Sequence, residues 1–203
     1  MNANRDSIVA KVFPLVCIGG SAGSLDVDIR LLQNLPPDLG VAIVIVNHIR
    51  NNKSQLQNIL ARYTEMPVEV ITERRYIQPN SVFIIPGNCD LHILNGKFWI
   101  LPKSKIFGWP DVITIFLRSI TRNWNGKIIA VIVSGLAADG AAALHGIREM
   151  GGITIAQKPD TAEQPEMPES AIASGFVDFV LSPEDIAKEN VRIVQDIKAE
   201  SQF

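Results

Sequence analysis

The sequence is poor in cysteine: its 203 residues include only two, Cys17 and Cys89, each in or beside an apolar run. Two isolated thiols make neither a disulfide framework nor a zinc site, which points to a reducing, cytoplasmic setting. No apolar run approaches the roughly 20 residues that a membrane-spanning helix needs, and Met1 to Lys11 lacks the apolar core of a signal peptide. Charge of one sign is also scarce. The formal net charge is −2, which excludes a broad nucleic-acid footprint. There is no internal repeat and no low-complexity segment. What remains is an ordinary globular composition, 47% hydrophobic and 20% charged, on a length that fits one sizeable domain at roughly 100–200 residues per domain. Residues 1–11 read as a tail or linker stub and 12–203 as the domain.

One stretch organises the rest. Phe13 to Ile18 is an apolar strand, Gly19-Gly20-Ser21-Ala22-Gly23 is a tight turn, and a helix follows from about Ser24 to Gln33, closed by Pro36-Pro37. The turn fits Gly-x-Ser-x-Gly, a serine lifted on a sharp strand-to-helix bend. Glycine neighbours leave room for that bend, and the helix N-terminus offers free N–H groups to developing negative charge. A glycine-rich turn with no chemistry is the plainer alternative. A dinucleotide fingerprint is the third, but Ser21 and Ser24 stand where its second and third glycines belong.

Further along, Val41 to Val46 is a fully apolar, β-branched run of the kind buried on both faces of a parallel sheet, and it ends in Asn47-His48. Lys53 to Tyr63 has helical periodicity. Val68 to Ile71 and Ser81 to Pro86 are short strands, and Asn95-Gly96 joins two more, Leu91–Leu94 and Lys97–Leu101, as a type I′ hairpin. This middle region is expected to extend the sheet in antiparallel fashion. Asp111 to Arg122 reads as a helix and Lys127 to Val133 as another buried strand. Ser134 to Gly140 leads into a helix over 141–150. Strands over 153–157 and 176–180, a short helix over 168–174 and a terminal helix to about Ala199 complete an α/β, doubly wound, mainly parallel sheet.

Three polar groups follow three such strands: Ser21, His48 and Asp139. In an open α/β sheet the carboxyl ends of the strands share one edge, where ligands bind. A serine hydroxyl needs a base, neutral imidazole is that base near neutral pH, and a carboxylate on the other ring nitrogen fixes the tautomer. Each also has a bland reading: Ser21 as a turn residue, His48 as a strand-end histidine bonded to backbone, Asp139 as the N-cap of the helix after it. His92 and His145 read as structural or surface residues, and Asp160 and Asp178 as alternative acids. The order Ser…His…Asp differs from that of ordinary α/β-hydrolases.

Taken together, Ile18 to Gly23, Asn47-His48, Pro86-Gly87-Asn88, Ser134 to Ala141, Ala156-Gln157 and Met167 to Ala171 resemble the ordered motifs of the CheB methylesterase catalytic domain, from about Val12 to Ile197. The resemblance implies hydrolysis of glutamate methyl esters on the cytoplasmic helices of chemoreceptors, with deamidation of receptor glutamines as an accompanying activity. It implies Ser21 as nucleophile, His48 as general base, Asp139 as orienting acid, and the backbone N–H groups of Ala22 and Leu136 as oxyanion hole, with no cofactor, no metal, no nucleic acid and no membrane insertion. Members commonly carry an N-terminal receiver domain; the stretch before Phe13 is too short for one, and if the domain stands alone its control is expected from another subunit, such as a separate receiver protein, or from expression. The sequence departs from the family pattern at Ala22, where a threonine is usual, at Ala137, where a glycine is usual, at Ile49-Arg50, without the usual proline, and at Gly108-Trp109-Pro110, without a basic residue. Ala22 and Ala137 motivate the competing expectation of a catalytically silent module that binds a receptor or signalling partner.

Overall fold

The computed structural model describes residues 12–49, 55–104, 108 and 110–200. The expected tail over 1–11 lies outside these, as do Lys53, Ser54 and Trp109. The first strand, β1 (Leu15–Gly20), leads through the glycine turn to α1 (Ser24–Gln33), then to β2 (Ala42–Asn47) and a short α2 (Leu56–Leu60). Next come β3 (Val68–Val70), β4 (Ser81–Ile84), and the hairpin β5 (Cys89–Leu94) and β6 (Lys97–Pro102). The second half alternates: α3 (Val112–Asn123), β7 (Ile128–Ile132), α4 (Leu144–Glu149), β8 (Ile153–Gln157), α5 (Glu166–Ala173), β9 (Phe179–Leu181) and α6 (Pro183–Glu200).

Seven strands form one parallel sheet in the order β3-β4-β2-β1-β7-β8-β9. The continuous apolar runs explain it. Every residue of β1, β2 and β7 is buried, and alternate side chains enter opposite cores. Val44 and Val46 pack with Ile113, Phe116 and Leu117 of α3. Ile43 and Ile45 pack with Val27, Leu31 and Leu32 of α1 and with Ile186 and Ile193 of α6. Each fully buried Val, Leu or Ile contributes on the order of 1.5–3 kcal/mol, so both helical layers are firmly held.

The middle of the chain corrects one expectation. β3 and β4 pair in parallel and widen the central sheet, while β5 and β6 pair in antiparallel fashion and make a separate two-stranded sheet. The reason lies in residues 71–80, which carry the chain back past β3 instead of reversing it in a tight turn. The hairpin turn itself is as expected, with Asn95 and Gly96 both at positive φ, 52° and 71°. It packs on α3, where the Ser119 hydroxyl accepts the Ile93 N–H at 2.9 Å. The helix after Asp139 begins as a 3₁₀ turn, Ala141–Ala143, before becoming α4. The sheet reverses its winding between β1 and β7, so the crevice at their carboxyl ends is the place where such folds bind ligands.

Candidate active site

Ser21, His48 and Asp139 follow β1, β2 and β7, which are neighbours in the sheet. Two close approaches bring their loops together. Gly19 lies so near the start of α3 that a Cβ there would fall 2.5 Å from Ile113 Cγ2, and Gly135 so near the nucleophile turn that a Cβ would fall 3.0 Å from Ser21 Cβ. The Ser21 N–H donates to Ser134 O at 2.9 Å, tying the ends of β1 and β7 directly.

His48 Nε2 is 2.8 Å from Asp139 Oδ2, and the two side chains are only 7% and 1% exposed. Asp139 also accepts the N–H groups of Ile113 at Oδ2 and of Thr114 at Oδ1, each at 2.9 Å. The carboxylate therefore caps α3, across the sheet, and not the helix that follows it in sequence. A helix N-terminus favours negative charge. Burial alone would raise the Asp139 carboxyl, but the hydrogen bonds from His48, Thr114 and Ile113 outweigh it and hold the carboxyl below its ordinary range. With Nε2–H given to Asp139, the lone pair of the neutral ring sits on Nδ1. That nitrogen is buried and has no hydrogen-bond partner among the described residues. The ring thus uses its two nitrogens in the reverse of the usual triad, where Nδ1 meets the carboxylate.

Ser21 and His48 line one cleft of about 370 Å³, together with Asn47, Asn88, Lys103 and Val112. No hydrogen bond joins the Ser21 hydroxyl to the ring among the described residues; such bonds are often long in unliganded sites and shorten when substrate enters. Of the two expected oxyanion donors, Ala22 follows Ser21 and Leu136 follows Gly135, the residue that abuts Ser21 Cβ. The neighbouring N–H groups are engaged, that of Gly135 to Gln164 O at 3.0 Å and that of Ser24 to Ser21 O at 3.1 Å, whereas those of Ala22 and Leu136 have no acceptor among the described residues.

Ser134 and Gln157 also build the site, though the sequence reading passed over their roles. The Ser134 hydroxyl donates to Ala22 O at 2.8 Å and accepts the Gln164 N–H at 3.0 Å. Gln157 Oε1 accepts the Ser134 N–H, and its Nε2 donates to Thr161 O, both at 2.9 Å. Both residues are fully buried. Their signal was a polar residue at the end of an apolar strand, the same one that marked Ser21 and His48. Asp160 and Asp178 stay away from the histidine: Asp160 pairs with Lys158, and Asp178 accepts from Thr154 and pairs with Arg148. His145 pairs with Glu149 at the surface.

Ala137 has φ 71°, the left-handed conformation, in the loop that carries Leu136. A residue with a Cβ is strained there by about 1–2 kcal/mol, and glycine recovers most of that against its own entropic cost of about 0.4–1 kcal/mol. Ala137→Gly is expected to stabilise the chain by on the order of 0.5–1 kcal/mol, read as a higher urea midpoint at unchanged slope. A lower midpoint sinks the strain argument.

The fold and the sequence both match known proteins. The CheB methylesterase family model matches residues 16–189. A Leptospira interrogans protein named as a candidate protein-glutamate methylesterase/protein-glutamine glutaminase is 33% identical over 187 residues, covering 91% of this chain and 96% of that protein. Protein-glutamate methylesterase/protein-glutamine glutaminase 4 of Burkholderia thailandensis is 32% identical over 90% of this chain but only 54% of its own length. The crystal structure of the Thermotoga maritima CheB methylesterase catalytic domain superposes with a TM-score of 0.80 at 29% identity, covering 88% of this chain and 97% of that one. With its family match running from β1 into α6 and its fold shared with a solved catalytic domain, this chain belongs to the CheB methylesterase family.

Proposed function

We propose that this protein is a serine esterase that removes methyl groups from glutamate γ-methyl esters on the cytoplasmic helices of chemoreceptors. The observation that carries the reading is the His48 ring: Asp139 holds one nitrogen, the other is free of partners among the described residues, and His48 and Ser21 line the same cleft. The Ser21 hydroxyl attacks the ester carbonyl as Nδ1 takes its proton. The oxyanion is met by the Ala22 and Leu136 N–H groups, each such donor being worth about 2.7–4 kcal/mol in comparable sites. Asp139 steadies the imidazolium, which then protonates the departing methoxide so that methanol leaves. Water attacks the acyl-enzyme in the same way and frees the glutamate. With a glutamine side chain in place of the ester, ammonia leaves instead.

A silent binding module is the competing reading, motivated by Ala22 and Ala137. The first keeps the N–H that the chemistry uses. The second takes the backbone conformation that suits a glycine, which favours a working loop. Incubation with receptor carrying labelled methyl esters separates the readings. Methanol release at a rate proportional to protein is the expected result; saturable receptor binding without release overturns the esterase.

A further inference from the structure

Directly behind the catalytic edge, on the opposite face of the sheet from His48, lies a buried polar cluster that the chemistry above does not use. Asp28 of α1 is 0% exposed, Ser24 2% and Asn47 9%. Asn47 Nδ2 donates to Asp28 Oδ2 at 3.1 Å and to Ser24 Oγ at 3.2 Å. Two oxygens, Asp28 Oδ1 and Asn47 Oδ1, are buried with no partner among the described residues. A buried acceptor without a donor is costly, and a buried carboxylate without a cation more so. One proton on Asp28 removes both faults, because a carboxylic acid and a primary amide can pair twice: amide N–H to acid C=O, and acid O–H to amide C=O.

Among the described residues no cation faces Asp28. In the core that receives α1, β1 presents Val16 and Ile18 and β2 presents Ile43 and Ile45. Helix α2 has no ionisable residue. Glu184 of α6 is held by Arg30 of α1, which also pairs with the exposed Asp26. Glu163 lies against Gly23, at the mouth of the turn, and His48 is on the far face with Asp139. Burial, only partly offset by the hydrogen bond from Asn47, pushes the Asp28 carboxyl up to about 7.

The cluster touches both halves of the catalytic pair. Asn47 immediately precedes His48, and the chain bends sharply there, the Ile49 N–H donating to Asn47 O at 2.7 Å. Ser24 closes the turn that carries Ser21, its N–H donating to Ser21 O at 3.1 Å. We propose that Asp28 is a positioning residue: as a neutral acid it pairs with the Asn47 amide and so fixes the strand end bearing His48 and, through Ser24, the turn bearing Ser21. The proposal rests on the esterase reading for its kinetic consequence, but not for its structural one.

Two measurements on the full chain test it. The first is the pH profile of methanol release. An alkaline limb belongs to Asp28, whose ionisation breaks the acid–amide pair. Ionisation of Asp28 at alkaline pH is therefore expected to lower wild-type kcat several-fold from its optimum, with KM little changed. Asp28→Asn can pair amide to amide and does not ionise. It is expected to stay within about twofold of wild type at pH 6 and to lose the alkaline limb, while Asp28→Leu is slow at every pH. An Asp28→Asn profile that superimposes on wild type, or lies below it in parallel, overturns the proposal.

The second measurement needs no activity. Carboxyl and side-chain amide NMR of the Ser21→Ala chain is expected to show Asp28 protonated at pH 6, with Asn47 amide and His48 ring resonances shifting as it ionises. An Asp28 already ionised at pH 6, or Asn47 resonances indifferent to it, overturns the proposal. A wild-type chain that releases no methanol sinks the esterase reading instead, and leaves this arm to decide alone.

Discussion

Ser21→Ala is expected to lower methanol release by about six orders of magnitude, the scale found when the nucleophile of a serine hydrolase is removed, while leaving the fold as it was. The second half of that expectation is what makes the first informative. Ser21 holds its loop through its backbone, its N–H donating to Ser134 O and its O accepting from Ser24. Alanine keeps both bonds and keeps the Cβ that sits against Gly135. The hydroxyl has no hydrogen bond among the described residues, so its loss orphans nothing, and the urea midpoint is expected to move by less than about 0.5 kcal/mol equivalent. Receptor affinity should persist for the same reason. A variant that still turns over at even a hundredth of the wild-type rate removes Ser21 from the chemistry, and the esterase reading with it.

The parts of this site that could be read from the sequence are those set locally. Apolar runs long enough for buried strands made β1, β2, β7 and β8 visible, and the polar residues after three of them, Ser21, His48 and Asp139, marked one edge of the sheet. Asn95-Gly96 announced its hairpin because left-handed backbone is cheap at both residues. Contacts set only by the folded chain were hidden. Nothing near Asp139 in sequence says that its carboxylate meets the N-terminus of a helix some 26 residues earlier; the nearer helix was the natural guess. The parallel pairing of β3 and β4 was hidden too, because no helix separates them and parallel crossovers usually contain one. Asp28 did leave a trace: it stands on the apolar stripe of α1, four residues after Ser24 and four before Leu32, where a charged residue does not belong without a partner.

Asp139→Asn is expected to separate two duties that one carboxylate performs. Asp139 accepts three hydrogen bonds, from His48 Nε2, Ile113 N and Thr114 N. An asparagine side chain has one oxygen to offer. If that oxygen stays with the helix, the NH₂ faces His48 and forces the ring into the tautomer with its proton on Nδ1, where the lone pair is needed. The same fault in a serine protease costs about 10⁴ in kcat, and a loss of that order is expected here, with KM little changed. If the oxygen turns to the histidine instead, a buried N–H at the start of α3 loses its acceptor, at about 1–3 kcal/mol, and the helix loses a favourable charge at its N-terminus, worth up to about 2 kcal/mol when buried. Either way stability falls, unlike in Ser21→Ala. Because the folded Asp139 carboxyl lies below its ordinary value, its contribution is present above the unfolded carboxylate pKa of about 3.9 and is lost as pH falls through the lower folded value. The gap in urea midpoint between wild type and Asp139→Asn should therefore be widest near neutral pH and narrow toward pH 3. If Ser21, His48 and Asp139 act as one unit, Ser21→Ala with Asp139→Asn should be no slower than Ser21→Ala alone. Additive losses in the double variant place Asp139 in the scaffold of α3 and outside the proton path.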